Sequence, residues 1–199
     1  MFRERFQVSL GHIGQALREP EAFALRWDRE DRPYPWWVFA ALALTAIAGT
    51  FTYGVTLGVL NGPGRMLFCG LALTVAAGIA WSLPLPALYI LNSVTGSRLR
   101  LSSTFLAALV TTSWGGLALI ASIPLNLFFS VALQSGEMML LVNLILFGGV
   151  GIAMVDVFSR VIEKLEPARG RMPAFWLVLV WAIGTELFYA FGLFHFSVS

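Results

Sequence analysis

Few side chains in this 199-residue sequence can do chemistry, and Glu186 stands out among them. It lies thirteen residues after Pro173 and ten before Phe196, inside an otherwise uncharged apolar run. If that run crosses a membrane, Glu186 is expected near the bilayer centre. An ionised carboxylate there costs about 2.5–3.5 kcal/mol on insertion scales. Its escapes are protonation or a hydrogen-bonded niche inside a helix bundle. Thr52, Tyr53, Thr111, Thr112 and Ser113 are expected at similar depth, and Asn143 joins them if its helix faces inward. Such a carboxyl marks a proton-linked or substrate-contacting site, or it holds helices together as a neutral hydrogen bonder. No second carboxylate accompanies it at that depth, which favours the second role.

The other reactive groups are scattered. His12 and His195 sit at opposite ends of the chain, and neither has a neighbour at metal-ligand spacing. Cys69 is the only cysteine, so no intrachain disulfide forms, and its apolar run reads as a buried, inert thiol. No G-x-S-x-G elbow and no phosphate-binding loop is present. Asp156 precedes Arg160 by four residues, the spacing of an ion pair one helical turn apart. An intramembrane aspartyl protease needs two carboxylates on facing helices, and Asp156 falls at the end of its span. The expectation is a chain that is no enzyme and carries no cofactor.

The elements that must position these residues follow from hydropathy. Of the residues, 58% are hydrophobic and only 12% charged, about half the charge of a soluble domain. Phe6, Leu10, Ile13 and Leu17 recur at helical spacing and define an amphipathic helix that ends before Pro20. That face belongs to a helix lying on the membrane surface or on the bundle, or it docks a partner. Residues 1–35 form this N-terminal segment, and 36–196 form the apolar domain. Five spans are expected, over 36–60, 66–94, 103–133, 138–158 and 173–196. The fold class is an all-α polytopic membrane protein, a bundle of about five transmembrane helices. Pro84 and Pro86 in the second span and Pro124 in the third are expected to kink or break their helices, with Asn92 and Asn126 free to satisfy released carbonyls. Gly54 and Gly58, Gly115 and Gly116, and Gly148, Gly149 and Gly151 suit close packing inside the bundle.

Loop charge gives an orientation. With the N-terminus inside, the segments 1–35, 95–102 and 159–172 carry twelve basic residues, and the outer segments carry Arg65 alone. That asymmetry predicts a cytoplasmic N-terminus and a C-terminus, Ser197 to Ser199, on the other side. The first apolar run begins only at Trp36, so no cleaved signal peptide is expected. Within residues 1–32 six basic side chains are matched by six acidic ones, which argues against a nucleic-acid arm. Twelve arginines against the single Lys164 hint at a GC-rich bacterial genome, hence a bacterial inner membrane.

Several features occur in a familiar order: Pro20–Glu21–Ala22–Phe23, then Pro35–Trp36–Trp37 opening the first span, then the turn from Gly96 to Phe105. Thr111–Thr112–Ser113–Trp114 and Ile123–Pro124 follow in the third span. From about Gly14 to Phe194 the chain resembles the YIP-domain family of five-span membrane proteins. Where that family often has an Ala-Tyr pair, this chain reads Thr112–Ser113–Trp114. The resemblance implies a cytoplasmic N-terminus and a non-enzymatic role in membrane assembly or traffic. The GTPase binding of the eukaryotic branch does not carry over, because nothing in residues 1–35 is specific to it. The expected partners are membrane lipids and a membrane protein or a second copy of the chain. The alternative is a small transporter or channel with Glu186 as its intramembrane site.

Overall fold

The computed structural model describes residues 11–29, 34–94, 96–97, 99–133, 136–167 and 175–193, and among these there is no strand. Four helices are long and apolar enough to cross a membrane. The chain begins with α1 (11–18) and α2 (Pro20–Arg29), then α3 (Trp36–Leu57), α4 (Pro63–Ser82) and α5 (Pro84–Val94). It continues with α6 (Leu101–Leu133), α7 (Gly136–Leu165) and α8 (Phe175–Ala190). The second span is α4 and α5 in series, divided at Leu83 because Pro84 has no N–H to continue the ladder. Pro124, by contrast, lies within a continuous α6. Asn126 spends its amide on other helices and not on the carbonyl that Pro124 leaves open. The side chain of Asn92 lies outside the described residues. The fifth expected span is represented by the 16 residues of α8.

Lipid as solvent explains the distribution of side chains. Ile152 of α7 is 74% exposed and Phe128 of α6 is 63% exposed, while Asn143 and Asn126 on the same helices are 0% and 1% exposed. A water-soluble bundle has the opposite arrangement; in hydrocarbon the polar groups must find partners inside. α3 packs along α6 and α4, α6 along α7, and α4 along α8. Edge-on rings of Tyr53 and Phe147, and Phe147 against Phe188, close the bundle between α7 and α8.

Glycine sets the closest approaches. A methyl group at Gly49 would collide with the backbone of Gly116, so α3 and α6 cross there in direct backbone contact. At Gly54 it would lie 2.7 Å from the Cys69 carbonyl oxygen, which fixes the α3–α4 crossing. Gly58 meets the Arg65–Met66 backbone in the same way. Gly115 faces the Met154 side chain, whereas a methyl at Gly148, Gly149 or Gly151 would meet nothing within 4 Å. The expected close packing therefore holds for α3 and α6, and the three glycines of α7 do not share in it.

The ends are shaped by local rules. Gly62 at φ 87 precedes Pro63 and starts α4 after a sharp turn. α8 ends in a Schellman turn: Gly192 takes φ 62, its N–H donates to the Tyr189 carbonyl, and the Leu193 N–H donates to that of Phe188. Arg65 donates to the Gly192 carbonyl at 2.6 Å and ties the starts of α4 and the end of α8 together. At the opposite end α2 lies across α6 and α7. Phe23 and Ala24 of α2 and Ala16 of α1 are buried in one cluster with Val38, Leu42, Leu106 and Phe158. The first two helices are thus part of the bundle's core.

Candidate functional site

Polar residues from three helices meet in the half of the bundle away from α1 and α2. The Tyr53 hydroxyl of α3 donates to Asn143 Oδ1 of α7 at 2.7 Å. Asn143 Nδ2 donates to Asn126 Oδ1 of α6 at 3.1 Å and to its own Met139 carbonyl at 2.8 Å. Asn126 Nδ2 donates to Thr56 Oγ1 of α3 at 2.7 Å, and Thr56 donates to the Tyr53 carbonyl. The loop of bonds is closed and all four side chains are buried. The same heptad-scale spacing that brings apolar residues inward places Tyr53 and Thr56 one turn apart on one face of α3.

In chemical terms this cluster positions and does not transfer. It holds amides and hydroxyls without a general base, so its bonds fix the register of α3, α6 and α7. Asn143 faces inward, which is the condition for its joining the cluster. Of the residues expected at its depth Tyr53 joins it, whereas Thr52, Thr111, Thr112, Ser113 and Glu186 do not. Ser113 lies thirteen positions before Asn126 on α6, about 20 Å along the axis at 1.5 Å per residue. There its hydroxyl donates to the Leu42 carbonyl of α3 at 2.7 Å. Thr112 bonds its own Leu109 carbonyl, and Thr52 is exposed and bonds that of Ala48. Thr111 Oγ1 is buried without a hydrogen-bond partner among the described residues, and so is Ser130 Oγ.

Glu186 is placed differently from its expected niche. It is exposed on the outer side of α8, with no hydrogen bond or ion pair to another described residue. The reason lies in helix phase. Val180, Ile183, Gly184, Leu187 and Phe188 take the inward face of α8, which leaves position 186 pointing out.

Charge collects at the end covered by α2. Arg160 pairs with Asp156 at 2.9 Å, one turn away as the spacing requires, and also with Glu21 of α2. The Ser103 hydroxyl donates to Asp28 and that of Ser97 donates to Glu166, both at 2.8 Å. Of the amphipathic face on α1, Ile13 packs against the core and Leu17 is half-buried, while Phe6 and Leu10 lie outside the described residues, as does His195. His12 sits edge-on against Tyr34. No group of three or more His, Cys, Asp or Glu among the described residues could hold a metal ion.

Sequence reasoning missed Thr56 and Ser130 and gave Asn126 the wrong task. The available signal was an uncharged amide in each of two apolar spans, Asn126 and Asn143, since such groups need partners in hydrocarbon. Fold and polar interior together define an all-α helical bundle with the build of an integral membrane protein. Comparison with protein-family models, curated proteins and solved structures finds no match for the chain.

Proposed function

We propose that this chain is a non-enzymatic scaffold or assembly factor of trafficking type, which works by binding other membrane components. The observation that carries the reading is the outward carboxyl of Glu186: a polar group on the lipid-facing surface is a feature of association between membrane helices. The interior supports it from the other side, because Tyr53, Thr56, Asn126 and Asn143 bond to one another. A transporter or channel using Glu186 needs that carboxyl on an internal path, and its exposure argues against this alternative.

The orientation proposed is the charge-rich end with α1 and α2 in the cytoplasm, supported by the grouping of Arg160, Lys164, Arg100 and the α2 charges at one end. A bacterial inner membrane and the YIP-domain plan of five spans complete the reading, with membrane lipids and a membrane protein or second copy as partners, and no nucleic acid. The test is purification of the tagged chain in mild detergent with mass spectrometry of co-eluting material. A stoichiometric membrane component, or a defined oligomer, is expected. A bare monomer that moves a solute or protons across liposomes in a Glu186-dependent way would replace this reading with the transporter.

A further inference from the structure

We draw no further inference here: the strongest candidate, the buried polar cluster where α3, α6 and α7 meet, with the Ser130 hydroxyl that has no partner among the described residues one turn along α6 from Asn126, belongs to the site already described and spends its bonds among its own members, and nothing in the structure shows a ligand for it.

Discussion

Replacing Gly54 by alanine adds one methyl group where α3 crosses α4, and the surroundings leave no room for it. The new carbon would lie 2.7 Å from the Cys69 carbonyl oxygen, 2.8 Å from the Gly70 Cα and 3.1 Å from the Cys69 carbonyl carbon. Non-bonded carbons rest at about 3.5–4.0 Å, so the helices must part by roughly 1 Å. All three obstacles are backbone atoms, which cannot rotate aside. Overpacking of this kind costs about 1–3 kcal/mol, and the rigid obstacles place Gly54 at the upper end. Alanine returns about 1 kcal/mol through its higher helix propensity, for a net loss of about 2 kcal/mol. In a chain of this length that lowers the melting temperature by about 4–8 °C. Gly148→Ala is the matched control, since its methyl meets nothing within 4 Å. It keeps the propensity gain alone and leaves the melting temperature unchanged or slightly raised. The assay is thermal unfolding in one mild detergent, followed by circular dichroism for both variants and wild type. If Gly54→Ala melts with wild type, or Gly148→Ala falls as far as Gly54→Ala, the packing argument is refuted.

Asn143→Ala removes the acceptor of the Tyr53 hydroxyl and the donor to Asn126 Oδ1, two buried groups that then lack partners. A loss of about 2–4 kcal/mol is expected in denaturant titrations, and Tyr53→Phe added to it should cost little more, because the shared bond is already gone. Ser130→Ala deletes a buried hydroxyl that has no described partner, so stability should hold or rise by up to about 1 kcal/mol; a clear loss would mean the hydroxyl is bonded. Phe23→Ala opens a cavity between α2 and the bundle and is expected to cost about 3–5 kcal/mol. Unfolding and limited proteolysis report it together, and an unchanged melting temperature would mean that α1 and α2 merely rest on the lipid surface.

How much was legible in the sequence differs between period and phase. The apolar spans, the ion pair of Asp156 with Arg160 and the break before Pro84 follow from local spacing, which needs no knowledge of neighbours. The membrane depth of Ser113 and Asn143 does not follow so easily. α6 runs 33 residues without interruption, so a cluster named near its middle is spread over lengths that only the partner helices define. Glu186 shows the harder limit. α8 is apolar nearly all round, and a helix without a contrasting face gives no sequence signal for which side meets the bundle. Phase was settled instead by Gly184 approaching Ala80 and by Phe188 meeting Phe147, contacts distant in sequence.

That uncertainty of phase is also why the position of Glu186 carries weight. A carboxyl on an apolar helix can be placed inward by a rotation of about half a turn, and no steric rule on α8 alone forbids it. The bundle nevertheless seats Gly184 and Phe188 inward, because close approach to α4 and the ring contact with Phe147 both require that face. If α8 crosses the bilayer as the fifth span, hydrocarbon offers the outward carboxyl no compensation. Stability of the single chain therefore gives no account of an acidic residue at this position, since leucine would satisfy the lipid better. On the assembly reading proposed above, a contact with another membrane component accounts for it.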